Sequence, residues 1–377
     1  MHVLSTIAGI VLVVTVLWEV FETIVLPRRV TRQLRLTRLF YRLTWTPWSA
    51  IAGLRKNKKK RDSLLAFYGP ISLLLLLAVW AVTLIFGFAF IHFGLSEFAG
   101  ALPSGRFGTA LYMSGSTLFT LGLGDVTPAS TISRFITVIE AGIGFGFLAL
   151  VIGYLPVLYQ SFSRREVTIS LLDARAGTPP TAYELLRRHT GPEGFEALTE
   201  VLQDWERWAA DLMESHLSYP ALAYFRSQHD NQSWLGSLVA ILDSCALAMV
   251  GLEGMCQYQA RMTFAIARHA LVDLSQIFSA APAADATLVR MSAEDLAELR
   301  RRLEQIGIRL SDHDGADAHL EDLRRLYEPF AISLARHLKI DLPPWFKSEP
   351  AKDNWQTTAW RQTPAECRTA SVVEEHF

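Results

Sequence analysis

The sequence predicts an all-α membrane protein, three spanning helices followed by a helical bundle, and three observations carry that reading. Apolar runs long enough to cross a bilayer occupy Val3–Leu26, Leu64–Phe93 and Ile132–Tyr159, where a hydrocarbon core of about 30 Å needs roughly 20 helical residues. Charge is segregated: residues 28–61 carry twelve Lys/Arg and no acid, whereas residues 161–377 carry 22 basic and 31 acidic side chains. From Leu171 onward, apolar residues recur at the three-to-four spacing of amphipathic helices.

The first run, in residues 1–27, is interrupted only by Glu19 and Glu22 near its end. It lacks a basic start and a small-residue cleavage site, so it reads as a retained anchor rather than a signal peptide. Residues 28–63 form a basic linker, which the positive-inside rule assigns to the cytoplasm. The amino terminus is then outside, the second run leads outward and the third returns. Everything after Arg164-Arg165 is cytoplasmic. The linker's KNKKKR is read as a topology signal and a contact for anionic lipid headgroups, not as a nucleic-acid patch. Before it, LTRLFYRLTWTPWSAIAGL reads as an interfacial amphipathic helix with Trp45 and Trp48 at headgroup depth.

Between the second and third runs lies FGTALYMSGSTLFTLGLGDVTPAS. Residues 107–119 suit three helical turns, but Gly122 and Gly124 end any helix across 120–125. Non-helical backbone at membrane depth is tolerated only where protein surrounds it or it lines a water-filled cavity. An extended strand whose glycines reach backbone angles closed to other residues can turn successive carbonyls to one side. A ring of such strands builds oxygen cages that replace a cation's hydration shell. That chemistry calls for alternate glycines, a hydroxyl at the inner end and an acid at the outer mouth. Thr120, Leu121, Gly122, Leu123, Gly124 and Asp125 supply them in that order.

The segment TLGLGD resembles the selectivity filter of pore-loop potassium channels, usually TVGYGD, and is similar to the second filter of two-pore-domain potassium channels. Residues 64–160 resemble the bacterial two-transmembrane pore module: outer helix 64–93, pore helix 107–119, filter 120–125 and inner helix 132–159. The resemblance implies that the carbonyls of Thr120, Leu121, Gly122 and Leu123, with the Thr120 hydroxyl, coordinate K⁺, and that Gly122 and Gly124 permit the geometry. It places Asp125 at the outer mouth and Thr117 behind the filter as support. Leu123 departs from the usual Tyr and cannot bond to the pore helix, which offers Tyr112 and Phe119 but no Trp.

A carbonyl ring needs four strands and the chain has one copy of the motif, so a homotetramer is expected. In the third run, Gly142, Gly144 and Gly146 followed by Pro156 suit either close packing or a gating hinge. Glu140, the one acid in mid-span, is a functional residue by default. It either faces the cavity or sits behind the filter, bonded to Ser114 or Ser116. Glu19 and Glu22 share a helix face and are expected to pair with Arg28, Arg29 or Arg32.

Residues 161–342 read as a cytosolic bundle of about six helices. Thr178-Pro179-Pro180 and Ser292 suit helix starts, and Gly191, Pro220 and Pro282 break the pattern. Ser237–Val250 is short and carries Asp243 at its centre, so it reads as a buried bundle helix. The tail 343–377 is expected to be poorly ordered. Cys245, Cys256 and Cys367 form no disulfide framework. No GxGxxG, GxSxG, HExxH or EF-hand pattern occurs, so neither catalysis nor an organic cofactor has a candidate. His216, His229 and His269 read as satisfied bundle residues, leaving K⁺ as the one implied ion. The sequence therefore points to a potassium channel of a bacterial plasma membrane, with a weakly selective cation channel as the alternative within that class. The alternative outside it is a non-conducting, membrane-anchored sensor or scaffold. A cytosolic partner or ligand is left open, as is the gating stimulus.

Overall fold

The computed structural model describes residues 2–26, 36–95, 98–100, 107–229, 231–252, 257–283, 290–311, 315–347 and Asp353. The chain divides into two compact units, Met1–Gln160 and Ser161–Phe377. Among the described residues, four helical segments could by length and composition cross a membrane: His2–Val25, Lys58–Leu95, Thr131–Ala176 and Trp234–Gly251.

The first unit starts with α1 (His2–Val20), which ends in a wider helical turn over Phe21–Val25. It lies against α3 (Lys58–Leu95), with Val13, Val16 and Val20 packed on Leu76, Leu77, Trp80, Leu84, Phe88 and Ile91. Small residues set the approach. A Cβ on Gly9 would collide with the Gly87 carbonyl, and one on Gly94 with the Thr6 side chain. Between lipid-embedded helices, where water provides no drive, such close backbone contact is a main source of association. The Ser5 hydroxyl adds a bond to Phe90 O at 2.8 Å.

Helix α2 (Leu36–Gly53) is held at both ends. Buried Glu19 accepts from the amides of Leu36 (3.0 Å) and Thr37 (3.2 Å) and from the Thr37 hydroxyl (2.9 Å). A carboxylate at a helix N-terminus satisfies amides that have no partner within the helix. The expected arginine partners of Glu19 and Glu22 lie outside the described residues, and Glu22 accepts from the Trp18 indole at 2.7 Å. Trp45 and Trp48 both pack toward α3. Trp45 is buried against the Tyr68 ring, 4.8 Å between centroids, and the Trp48 indole donates to Leu64 O at 3.1 Å. The aromatic face of α2 is thus consumed by α3, leaving Leu39, Leu43, Arg38 and Arg42 exposed.

The outer helix begins at Lys58, six residues before the expected start. After it come α4 (Phe107–Leu118) and α5 (Thr131–Ala176). Two three-residue strands flank α4, β1 (Phe98–Gly100) and β2 (Val126–Pro128), antiparallel with Ala99 opposite Thr127. They bring together the two ends of the connection between the spans, a pairing too short to show as an alternating pattern. Helix α5 runs unbroken through Gly142, Gly144, Gly146 and Pro156 and ends 17 residues beyond the expected Tyr159.

In the second unit, residues 161–176 of α5 are followed by α6 (Ala182–Arg187), α7 (Gly191–Ser218), α8 (Trp234–Gly251), α9 (Gln257–Ile277), α10 (Ala293–Gln305), α11 (Ala316–Arg325) and α12 (Glu328–Leu338). Ser292 starts α10 with a reciprocal cap to Asp295. The apolar periodicity of HLEDLRRLYEPFAISLARHL suits one helix, but the chain forms two there, parted at Leu326-Tyr327, with Pro329 in the first turn of α12 where its missing amide costs nothing. Helix α8 is the core of the unit: every residue except Met249 and Gly251 is buried, by protein rather than lipid. At its centre Asp243 receives a two-pronged Arg290 guanidinium (2.9 and 2.7 Å) and the Tyr327 hydroxyl at 2.5 Å. Burial, then the Asp243 charge, pushes the Tyr327 phenol well above its usual range. Arg290 and Arg324 both bond Glu328, and both guanidinium groups lie over the Trp345 ring, at 5.7 and 5.8 Å.

Trp345 is itself buried, so the ordered bundle extends past the expected boundary at 342. Asp353 is also buried and accepts from the Thr178 amide at 2.8 Å and Lys347 at 3.2 Å. Cys245 is a buried free thiol; Cys256 and Cys367 lie outside the described residues. His216 accepts from Arg165 at 3.2 Å, and burial followed by that cation holds its imidazole well below the ordinary range. No group of three or more metal-ligating side chains occurs among the described residues. Replacing Asp243 by Ala removes the two-pronged acceptor of Arg290 and the acceptor of Tyr327, leaves Glu328 as the guanidinium's carboxylate partner, and should destabilise the second unit by about 3–5 kcal/mol. Thermal unfolding of the purified chain checks this, and Asp243→Leu with Arg290→Met should recover most of the loss.

Candidate functional site

The segment between α4 and β2 leaves the helical path through a single paired closure. Thr120 N donates to Thr117 O (2.9 Å) and Leu121 N to Ser116 O (2.7 Å), while Thr120 adopts φ 58°. This is the left-handed helix stop that glycine usually makes. A β-branched residue there is uncommon and costs conformational energy. Gly122 (φ 55°) and Gly124 (φ 78°) are left-handed as well, so every second residue from 120 to 124 has positive φ. Thr117, half-buried, serves the closure through its carbonyl.

Phe119 to Asp125 are exposed along their whole length, with Leu121 at 64% and Leu123 at 62%. A Cβ added to Gly122 or Gly124 would meet open space within this chain. The left-handed backbone, not crowding, is therefore what calls for glycine at these two positions. Leu123 makes no bond to α4. The phenol that braces this region comes from α4 instead: Tyr112 donates to Asp125 at 2.9 Å.

Behind the segment, α4 is tied to α5 at two successive turns. Glu140 accepts from the Ser114 hydroxyl, and one turn later Gly144 lies so close that a Cβ would collide with the Leu118 carbonyl. Ser116 bonds Met113 O rather than the acid. The second arrangement expected for Glu140, behind the segment and on α4, is thus the one observed, with Ser114 as its partner. His92 of α3 reaches the same carboxylate at 2.9 Å through Nε2, and its Nδ1 lies 3.2 Å from the Ser133 hydroxyl. His92, Ser114 and Glu140 are fully buried and Ser133 nearly so. Of the three glycines in α5, Gly144 is required for packing, while Gly142 and Gly146 face open space within this chain.

Sequence reasoning identified Glu140 and missed His92, Ser133 and the Tyr112–Asp125 bond. A signal for His92 was present. An imidazole inside an otherwise apolar span is as costly, and so as informative, as a lone carboxylate.

Residues 78–160 match a family model described as an ion channel. The match starts within α3, includes α4 and the Thr120–Asp125 segment, and ends at Gln160, the last residue of the first unit. It supports an ion-channel pore module there. Over 198 residues the chain is 27% identical to an uncharacterized membrane protein of Bacillus subtilis (strain 168), YdjJ, covering 51% of this chain and 56% of that one. The chain thus spans about half the length of the curated relative it matches. No solved structure matches it. Gly144→Val should force α4 away from α5 and destabilise the protein by about 1–3 kcal/mol, the usual cost of overpacking. Thermal unfolding in detergent checks this.

Proposed function

We propose that the chain is one subunit of a homotetrameric potassium channel. One observation carries the reading: an exposed, non-helical segment with left-handed residues at 120, 122 and 124 follows a short, half-buried helix between two candidate spans. Four copies around an axis enclose a pathway lined by the carbonyls of Thr120, Leu121, Gly122 and Leu123 and by the Thr120 hydroxyl. Backbone oxygens at that spacing replace the water shell of K⁺. Asp125, oriented by Tyr112, stands at the outer mouth and attracts cations. The exposure of α5 supports assembly. Its apolar face, including Phe135, Val138, Phe145, Leu148 and Ile152, is not covered within this chain.

Opening is assigned to α5. Gly144 is committed to Leu118, so bending falls to Gly142 and Gly146, which have no such contact, and to the exposed Pro156 within the helix. A weakly selective cation pore is the second reading, favoured by the lack of any bond from Leu123 to α4. A non-conducting scaffold is the third. The basic block supports, by the positive-inside rule, a cytoplasmic side for residues 28–61 and the second unit, with the amino terminus outside a bacterial plasma membrane. Exposed Leu39 and Leu43 beside Arg38 and Arg42 on α2, followed by Arg55 and Lys56–Arg61, suit a membrane rich in anionic headgroups.

Purified protein in planar bilayers under opposed K⁺ and Na⁺ gradients should reverse close to the K⁺ equilibrium potential, and Gly122→Asp should abolish the current. Reversal near zero supports the weakly selective pore, and absence of current under several lipid and pH conditions supports the scaffold. A second measurement concerns lipid. Reconstituted channels should carry less current when phosphatidylglycerol is replaced by phosphatidylcholine, and neutralising Arg38, Arg42 and Lys58–Lys60 should remove that difference. Equal current in both lipids would refute the headgroup contact.

A further inference from the structure

The buried set Ser133–His92–Glu140–Ser114 joins three helices, and the ion-pathway reading uses none of its members. His92 comes from α3, Ser133 and Glu140 from α5, and Ser114 from α4. Glu140 Oε2 faces His92 Nε2 at 2.9 Å and Oε1 accepts from Ser114. The Ser114 hydroxyl also lies 2.9 Å from Ile85 O, on the turn of α3 preceding His92 by two. Four polar side chains enclosed in protein at membrane depth must bond one another, because no water replaces a lost partner. Their bonds therefore transmit position. A shift of α3 at His92 moves the carboxylate, and the carboxylate carries Ser114. Ser114 lies one turn before Leu118 and six residues before Thr120, where the left-handed segment begins.

We propose that His92 is a positioning residue for the filter, and that it acts through Glu140 and Ser114 by hydrogen bonds rather than by charge. This rests on the potassium-channel reading. The Ser114 hydroxyl has a single proton and two acceptors within reach, Glu140 and Ile85 O. A glutamine at 140 supplies a proton of its own, donating to Ser114 while its carbonyl accepts from His92. The brace therefore tolerates the amide. It does not tolerate an apolar side chain at 92 or loss of the hydroxyl at 114, because either leaves the carboxylate short of a partner.

The test is the reversal potential of full-length channels in planar bilayers under opposed K⁺ and Na⁺ gradients, with thermal stability measured on the same preparations. Glu140→Gln and His92→Gln should reverse where the wild type does. His92→Leu should lower the K⁺ over Na⁺ permeability ratio about tenfold, the equivalent of 1.4 kcal/mol, as should the milder Ser114→Ala should His92→Leu not fold. A potassium-selective wild type whose folded His92→Leu or Ser114→Ala variant keeps the full ratio overturns the positioning role alone. A Glu140→Gln channel that loses selectivity or conductance shows that the charge matters and overturns the hydrogen-bond account. A wild type that passes no current, or reverses at zero, overturns the potassium reading and this role with it.

Discussion

The first unit is organised around one constraint: backbone that leaves the helix at membrane depth must be held by protein. Residues 119–125 leave it after Leu118, so α4 must end at a defined depth and angle. Two contacts on successive turns of α5 secure that end, the Glu140–Ser114 bond and the approach of Gly144 to Leu118. Neither tolerates sliding, since a shift of one turn would bring a side chain against the Leu118 carbonyl and leave the carboxylate without its hydroxyl. The outer helix is tied to the same point through His92.

The rest of the unit extends outward from this anchor. Close approach at Gly9, Gly87 and Gly94 fastens α1 to α3, which leaves the long apolar face of α5 for other surfaces. Glu19 shows how an acid near the end of a span can be used structurally: its carboxylate caps α2. A helix capped in this way and packed by Tyr68, Trp45 and Trp48 has a fixed orientation, and so its basic residues do as well.

The second unit solves a different problem, that of a helix hydrophobic enough to enter lipid yet enclosed by a bundle. Asp243 resolves it. The carboxylate receives a bidentate guanidinium and a phenol, and the second arginine and Glu328 close the cluster beneath Trp345. Such a cluster is stable only when every member has its partner, which ties α8 to the loop before α10, to α12 and to the segment after it. This also explains why the ordered chain continues past Pro343.

Much of the architecture was legible because spans, charge bias and helical periodicity are local properties of the chain. Twelve basic residues in one linker, three apolar runs and a TLGLGD segment needed no contact to be read. Glycines at 122 and 124 could be assigned to backbone angles closed to other residues because glycine alone takes them freely. What tertiary structure decided was partnership between residues far apart in sequence. His92 and Glu140 are 48 residues apart, and Tyr112 and Asp125 lie on opposite sides of a helix stop. Whether Gly144 serves packing or bending, and what covers Trp45, were likewise open in the sequence. Each depends on which helix faces point at one another, and helical periodicity defines a face without saying what will cover it.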